Sequence, residues 1–338
     1  MKGIQVKEYV KGPAELQVSE IPDPVPKPNE YLIQVHAAAA NFFDILQVQG
    51  KYQNQPPFPW VAGAEFAGTV LATPSNPSSS AHLKFPVGAR VFGGTQGAFA
   101  TKVCVPESTL LPVPDGWSFE DAAGLFVTAP TSYAALVVRA NIKKGDWVLV
   151  HAAAGGVGLA AVQIAKAYGA TVVATASTQK KLDIAKSFGA DHLVNSSDKS
   201  WPATVKALTP SSRGVDIVYD PVGLVDLSTK CTAWNGRILI VGFAAGSIEK
   251  VAMNKVLLKN ISLVGIHWGA YTKNEPEMQA KVWRSLLELM NAGKFRGTVY
   301  KDESFVGLDR VKDALVALGS RGTWGKVVID VLEDKSKL

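Results

Sequence analysis

The clearest chemical signal in the sequence is a glycine-rich stretch at residues 151–158, which reads HAAAGGVG. An apolar, strand-like run precedes it and an amphipathic helical pattern follows it. Gly155 would let the backbone approach a pyrophosphate closely, and Gly158 would let the helix pack on the strand. The free N–H groups at a helix N-terminus favour an anion. Although Ala153 replaces the first glycine of GxGxxG, these flanking elements predict a dinucleotide-binding turn rather than a simple tight turn.

The end of the following strand distinguishes between the two common dinucleotides. NAD sites usually place Asp or Glu about 20 residues after the turn, where it holds the ribose hydroxyls. No acidic residue occurs within 170–181, and Ser177 and Lys181 are found there instead. A hydroxyl and an ammonium would bind a 2′-phosphate that a carboxylate would repel. The sequence therefore predicts NADPH; the alternative is that both residues are solvated in the first turn of a helix.

The sequence lacks the residue patterns of metal sites, cysteine clusters and serine hydrolases. Cys104 and Cys231 are the only cysteines and lie far apart, which excludes zinc ribbons, iron–sulfur clusters and a disulfide scaffold. The five histidines show neither HxxxH nor HExxH spacing, and no GxSxG motif occurs. We therefore predict no metal site. Hydride transfer is the reaction that remains.

Composition places the chain among ordinary globular proteins. It has 338 residues, of which 47% are apolar and 19% charged, so disordered and collagen-like classes are excluded. The net charge of +6 comes from scattered residues, and without a dense basic cluster we expect no nucleic-acid partner. The uncharged stretch 147–165 is long enough for a membrane helix. Because it contains the glycine turn, it is interpreted as strand, turn and helix, and no membrane association is expected.

The pattern of elements predicts an α/β protein with two domains. The first 120 or so residues contain short strand-like runs punctuated by proline, which is typical of a barrel or sandwich. A helix is predicted from Ser118, its N-cap. Strands alternating with helices then predict a doubly wound parallel sheet; they lie at 147–152, 171–175, 192–195, 215–219, 237–241 and about 261–267. Helices near 275–291 and 308–318, a strand-like run at 295–305 and a last strand at 325–331 complete the chain. The predicted domains are 1–122 with 273–338, and 123–272.

Four segments carry a resemblance to a known family. They are NFFD at 41–44, GKY at 50–52, DPVG at 220–223 and VGF at 241–243. Together with the glycine turn, they make essentially the whole chain similar to the medium-chain dehydrogenase/reductase family. The resemblance implies a GroES-like, β-rich catalytic domain and a Rossmann NADPH-binding domain.

Two departures from that family's zinc enzymes identify the branch. Zinc alcohol dehydrogenases carry a cysteine where this sequence has Asn41, and a histidine within GHE where it has Gly63-Ala64-Glu65. Their four-cysteine lobe is absent as well. The chain thus resembles the zinc-independent branch, which includes zeta-crystallin-like quinone oxidoreductases and enoyl reductases.

The resemblance also implies roles for individual residues toward the cofactor. The nicotinamide end would contact Asn41 and Thr128. The pyrophosphate would be held by the turn residues Gly155, Gly156, Val157 and Gly158, and the 2′-phosphate by Ser177 and Lys181. Ser196 stands where some relatives have a tyrosine near the adenine ribose. The channel would be lined by Val222, Val241, Gly242, Phe243 and Trp268.

The catalytic candidates follow from the charge that hydride transfer creates. Negative charge on the acceptor oxygen must be stabilised or protonated. Tyr52 is a candidate donor through its phenol, and Gly50 suits a close turn beside it; alternatively, Tyr52 lines the wall and water supplies the proton. We expect Asp44 to orient the loop rather than to act as a general base.

We therefore predict an NADPH-dependent, zinc-independent reductase acting on a quinone or related conjugated carbonyl. One alternative is an enoyl or enone reductase, and another is a non-catalytic, NADPH-binding crystallin-like or RNA-binding protein. The resemblance implies a homo-oligomer, in the simplest case a dimer.

The sequence ends in Ser336-Lys337-Leu338. This tripeptide matches the signal that the peroxisomal import receptor binds. We therefore expect a peroxisomal location, and otherwise a cytoplasmic one. The alternative is a frayed polar end that matches by chance.

Overall fold

The computed structural model describes residues 1–76, 84–246 and 248–332. The chain forms two compact units, Met1–Val127 with Gly297–Leu338, and Thr128–Arg296. No helix within the described ranges is both long enough and apolar enough to span a bilayer. Residues 336–338, the tripeptide expected to act as an import signal, lie outside the described residues.

The strands, in chain order, are β1 (Lys2–Val6), β2 (Val18–Glu20), β3 (Glu30–Ala39), β4 (Trp60–Val61), β5 (Glu65–Ala72), β6 (Arg90–Gly94), β7 (Lys102–Pro106), β8 (Leu110–Pro112), β9 (Trp147–Val150), β10 (Thr171–Ala176), β11 (His192–Asn195), β12 (Val215–Asp220), β13 (Thr232–Ile240), β14 (Ser262–Gly265), β15 (Phe305–Val306) and β16 (Val328–Asp330).

The α-helices are α1 (Phe42–Val48), α2 (Phe119–Ala123), α3 (Thr128–Tyr133), α4 (Gly156–Ala167), α5 (Gln179–Ser187), α6 (Trp201–Leu208), α7 (Val225–Ser228), α8 (Met253–Lys259), α9 (Tyr271–Asn274), α10 (Pro276–Asn291) and α11 (Val311–Gly319). A π-helical segment, Ala134–Arg139, continues α3. The predicted N-cap is confirmed, because Ser118 Oγ accepts the N–H of Asp121 at 3.0 Å.

The first unit is β-rich, as predicted. A seven-stranded sheet has the order β15-β16-β3-β5-β6-β8, with β7 also paired to β3, and a smaller sheet has the order β2-β1-β4. The long strand β3 lies antiparallel to both β5 and β16. Its last residues pair with the first of β5 (Ala38 opposite Phe66) and of β16 (Ala39 opposite Val328). The residues that follow β3 and those that precede or begin β5 and β16 therefore lie close together.

The second unit is a doubly wound parallel sheet. Its strand order is β11-β10-β9-β12-β13-β14, and every neighbouring pair is parallel. All six predicted strands are present within a few residues of their expected bounds. The order reverses between β9 and β12, and sheets of this type bind ligands beyond the carboxyl ends of the strands at such a point.

The return to the first unit occurs later than the sequence predicts. The predicted crossings at 122/123 and 272/273 compare with 127/128 and 296/297 in the structure. Residues 273–296 belong to the second unit because α10 packs against α3 and Gln163 accepts the backbone N–H of Arg296 at 2.8 Å. The strand-like run at 295–305 yields only the start of the two-residue β15 and a bridge at Val299.

Candidate functional site

The glycine turn joins β9 to α4 at the centre of the parallel sheet. Gly155 is the N-cap of α4 in extended conformation. A Cβ on Gly158 would lie 2.3 Å from the carbonyl oxygen of Ala152 and 2.8 Å from Cα of Ala153. Only glycine therefore lets α4 pack this closely on the turn, which is the physical reason for the sequence pattern at this position.

The N-terminus of α4 is open to an anion. Within the described part of the chain, no side chain caps the helix and its first turn contains no acidic residue. The N–H groups of the first turn, including those of Gly156 and Val157, have no partner within the helix in such a position. Together with the helix dipole they form a site suited to a phosphate.

His151, the first residue of the turn, has a structural role. It is fully buried, and its two ring nitrogens lie 2.9 Å from Thr175 Oγ1 and 2.9 Å from Ser228 Oγ. Burial lowers its pKa to about 4, so the ring is neutral near pH 7. A neutral imidazole bridging β9 to β10 and α7 fixes the base of the turn.

The loops after β12 and β13 are tied together beside the turn. Asp220 accepts the N–H groups of Val222 at 2.8 Å and Gly223 at 2.9 Å. The Val241 N–H donates to the Asp220 carbonyl at 2.9 Å, which continues the contact between the strand ends. A Cβ on Gly242 would approach the Pro221 carbonyl to 3.3 Å. Val222, Val241 and Gly242, predicted from the sequence, are thus brought to one edge of the sheet.

Two other predicted channel residues lie less centrally. Phe243 directly follows this pair of loops and is 43% exposed. Trp268 follows β14, the edge strand three positions from β9, and its ring lies 5.2 Å from that of Tyr271. The structure places both at the carboxyl side of the sheet.

The predicted phosphate-binding residues lie at the neighbouring strand ends. Ser177 directly follows β10, and Thr178 caps α5 by accepting the N–H of Lys181 at 3.4 Å. The N–H of Ser196, after β11, donates to the Ala176 carbonyl at 2.9 Å. Burial lowers the pKa of Lys181. Ser177 and Ser196 are thus brought to adjacent strand ends, and the first turn of α5 contains no acidic residue.

Thr128 is positioned by a residue that the sequence did not indicate. Thr128 is the buried first residue of α3, and its carbonyl accepts from Ser132 Oγ at 3.0 Å. The same hydroxyl lies 2.9 Å from the Val157 carbonyl and 2.8 Å from Tyr219 Oη. Ser132 therefore links Thr128 to the glycine turn and to β12. A single serine within this helix gives no sequence signal for this role.

In the first unit, a buried polar cluster forms where β3 ends and β5 begins. Asn41 lies between β3 and α1, and its Nδ2 donates to Glu65 Oε1 at 2.8 Å. The backbone N–H of Asn41 donates to Asp44 Oδ2 at 2.8 Å. Glu65 is completely buried, and its Oε2 accepts the N–H of Val127 at 3.0 Å. The two predicted residues, Asn41 and Asp44, are thus brought together.

Lys326 completes this cluster, and no feature of the sequence predicts it there. It is 4% exposed, and its Nζ lies 2.6 Å from Glu65 Oε1. Its other two contacts are to Asn41 Oδ1 at 2.8 Å and the Ala40 carbonyl at 2.9 Å. In the sequence it is one lysine before an apolar strand, which is indistinguishable from a surface lysine. Only the antiparallel pairing of β16 with β3 brings it to Asn41.

Asp44 is a buried carboxyl with one unused oxygen. Its Oδ1 has no hydrogen-bond partner among the described residues. Burial raises its pKa to about 7, against the opposing effects of the Asn41 N–H and the Lys326 charge. The residue thus holds the start of α1 through Oδ2 and changes its charge near neutral pH.

Tyr52 lies on the loop that follows α1, eight residues after Asp44. Its half-buried ring stacks on Phe43, with centroids 5.3 Å apart. The turn requires Gly50, which has a φ of +69° and no room for a Cβ beside the Tyr9 ring. Burial, and then the negative charge of Asp44, raise the pKa of Tyr52. The phenol therefore remains a proton carrier and a hydrogen-bond donor across the neutral range.

Two family models match the chain. An alcohol dehydrogenase GroES-like domain matches residues 27–115, and a zinc-binding dehydrogenase domain matches residues 156–290. Zinc does not fit the residues at Asn41, because the Lys326 ammonium lies 2.8 Å from the amide oxygen and would repel a second cation. No three or more His, Cys, Asp or Glu side chains are grouped as metal ligands in the described ranges.

Comparison with individual proteins agrees with both domains. A quinone oxidoreductase-like protein 2 homolog from Nematostella vectensis is 38% identical over 303 residues, covering 88% of this chain and 80% of the relative. The structure of Escherichia coli quinone oxidoreductase complexed with NADPH has a TM-score of 0.84 and 27% identity, over 98% of this chain and 100% of that one. The CurK enoyl reductase has a TM-score of 0.85 and 25% identity, over 98% and 99%. The chain therefore belongs to the quinone oxidoreductase family of medium-chain dehydrogenases/reductases.

Proposed function

We propose that this NADPH-dependent oxidoreductase transfers hydride to a quinone or a related conjugated carbonyl acceptor, without zinc. The observation that carries the proposal is the open N-terminus of α4 at the strand-order reversal, with Ser177 and Lys181 rather than an acid after β10. Such a site suits a dinucleotide with a 2′-phosphate. When bound, the nicotinamide supplies the hydride.

The chain's own residues bind and orient in this proposal. The backbone N–H groups of Gly156 and Val157 hold the pyrophosphate, and Ser177 and Lys181 hold the 2′-phosphate. Asn41 and Thr128 each contact the nicotinamide end. The Lys326 ammonium, 2.8 Å from Asn41 Oδ1, supports the absence of zinc. Negative charge that develops on the acceptor must then be stabilised by hydrogen bonds alone.

Tyr52 is the residue we propose to hold the proton. Its raised pKa keeps the phenol protonated, so Oη is able to donate to an oxygen on which negative charge develops. The stack on Phe43 fixes the plane of its ring. If Tyr52 serves only as a wall, water supplies the proton, and replacing the phenol will not change the rate.

A panel of acceptors tests the proposal. Purified protein is mixed with NADPH and with quinones, enones or enoyl thioesters, and NADPH oxidation is followed by absorbance. We expect turnover with quinones. Turnover with enoyl thioesters alone would instead support enoyl reduction, which the likeness to the CurK enoyl reductase favours as second candidate. NADPH binding without any turnover would support a non-catalytic role.

We also propose that two copies associate through the edge of the parallel sheet. β14 is an edge strand, and edge strands offer backbone groups for pairing. The adjacent α8 exposes Met253, Leu257 and Leu258 at 66%, 76% and 72%. A second copy is the occupant we propose, because two identical edges related by a twofold axis satisfy each other's backbone groups.

The mass in solution tests this association. By light scattering we expect twice the chain mass of 35.9 kDa, and the single-chain mass for the Leu257→Asp/Leu258→Asp variant. Val87→Asp is the control, since Val87 is an apolar residue of the first unit with 64% exposure. A wild-type protein with the mass of one chain would contradict the proposal.

A further inference from the structure

Three protein oxygen atoms hold the Lys326 ammonium, and the side chain is only 4% exposed. Its Nζ donates to Asn41 Oδ1 at 2.8 Å and to the Ala40 carbonyl at 2.9 Å, and it forms an ion pair with Glu65 Oε1 at 2.6 Å. Any effect of Lys326 on a bound molecule must therefore pass through one of these partners. Asn41 is the only neutral side chain among them.

The two charges fix the orientation of the Asn41 amide. Its oxygen faces the Lys326 ammonium, and its NH₂ group faces the Glu65 carboxylate at 2.8 Å. Turning the amide over would place NH₂ against NH₃⁺ and oxygen against carboxylate, which is unfavourable at both ends. The carboxamide therefore has one orientation.

A fixed amide still has unused hydrogen-bonding capacity. Asn41 Oδ1 accepts from Lys326 and retains a second lone pair. The second proton on Nδ2 has only a long contact, 3.4 Å, to the Ala39 carbonyl. A donor and an acceptor held side by side suit a ligand with a primary amide of its own, and the nicotinamide ring carries such a group.

Stability alone is a weak reason for this arrangement. A buried ion pair brings little net stability over an apolar pair of similar volume, because desolvating both charges is costly. In this cluster a completely buried carboxylate and a lysine that is 4% exposed meet next to the residue predicted to contact the cofactor. Fixing the direction of a neighbouring polar group is a function that an apolar pair would not supply.

We propose that Lys326 and Glu65 form a positioning pair for Asn41, which through the oriented carboxamide sets how the nicotinamide end of the cofactor is bound. The inference rests on the proposed function, since it assigns these residues to the same reaction. Neither residue contacts the cofactor itself.

A double-mutant cycle tests the proposal. Lys326→Met/Glu65→Gln removes both charges together, so that no unpaired charge stays buried. This charge-free variant is compared with wild type, with Asn41→Ala and with the variant that carries all three substitutions. The NADPH affinity, kcat and KM are measured for each protein. We expect the charge-free pair to weaken NADPH affinity and kcat by roughly ten- to a hundredfold in the wild-type background. In the Asn41→Ala background we expect almost no further loss.

Equal losses in both backgrounds would overturn the proposal, because a merely structural pair acts whether or not Asn41 is present. Lys102→Met/Asp23→Asn, which removes an exposed ion pair of the same unit, is the control and should leave both parameters unchanged. If the charge-free variant does not fold, Lys326→Arg takes its place, since it keeps the charge but changes the donor geometry.

The affinity readout separates this inference from the proposed function. A non-additive cycle in NADPH affinity, without turnover of any acceptor, would retain the positioning pair and reject the reductase. Quinone turnover together with an additive cycle would support the reductase and reject the positioning pair.

Discussion

The Nζ of Lys326 lies 2.6 Å from Oε1 of Glu65, and both side chains are buried in the β-rich unit. The lysine precedes β16 and the glutamate begins β5, and both strands belong to the sheet that contains β3. Asn41, directly after β3, is held between the two charges. The conformation of a single amide thus depends on three distant segments of the chain.

Asp44, which adjoins this cluster, should make stability depend on pH. Burial raises its pKa to about 7, whereas an unfolded aspartate titrates near 4. Because the folded value is the higher one, its contribution to stability is complete below about pH 4 and is lost as the pH rises through about 7. Asp44→Asn keeps an oxygen for the Asn41 N–H and removes this loss.

We therefore expect Asp44→Asn to gain about 2–3 kcal/mol over wild type between about pH 5 and pH 8. Urea unfolding of both proteins at the two pH values measures the difference. A gap between the two proteins that is the same at both pH values would show that Asp44 does not titrate in this range.

Lys181 should distinguish the two dinucleotides. Replacing the ammonium by a carboxylate in Lys181→Glu puts repulsion where a 2′-phosphate is expected. We predict that NADPH affinity falls by about tenfold or more, while NADH affinity changes little. Lys186→Glu, the same charge change at the other end of α5, is the control. Fluorescence titration measures both affinities, and equal losses for NADPH and NADH would remove Lys181 from the phosphate site.

The hydroxyl of Tyr52 should affect the rate rather than the fold. Tyr52→Phe keeps the ring that stacks on Phe43, so the melting temperature should stay close to that of wild type. If the phenol donates the proton, kcat falls by about a hundredfold. Tyr9→Phe, on a ring that is 47% exposed beside Phe58, is the control. An unchanged kcat would assign the proton to water.

Residues 336–338, Ser-Lys-Leu, should direct a carrier protein to peroxisomes. We propose fusing them to the C-terminus of a fluorescent protein in a eukaryotic cell, with Ser-Lys-Glu as the matched control. Punctate fluorescence that coincides with a peroxisomal marker is expected for the first fusion only. Diffuse fluorescence from both would contradict the proposal.

The parallel sheet could be predicted because its central strands β9, β10 and β12 are buried on both faces. Such strands appear as short apolar runs, and every one of the six was found, β11 (His192–Asn195) with its predicted bounds. The assignment of α10 could not be predicted. An amphipathic pattern shows that a helix buries one face, but not that this face packs against α3 of the second unit.

The candidate site also contains one part that could be predicted from the sequence and one part that could not. The glycine turn is local, so the need for Gly158 could be inferred from its position between a strand and a helix. Lys326 acts through residues distant in the chain, Asn41 being 285 positions away. Ser132 links the nearby Thr128 to the distant Val157 and Tyr219. No local pattern distinguishes a buried lysine from an exposed one before the sheet is assembled.

A single-turnover measurement tests the central claim, hydride transfer from NADPH to a quinone, most directly. The protein with NADPH bound is mixed rapidly with a quinone, using NADPH that carries hydrogen or deuterium at the transferring carbon. We predict that the NADPH absorbance decays only when quinone is added, and that deuterium slows this decay. An absorbance that quinone does not change, although NADPH is bound, would contradict the account.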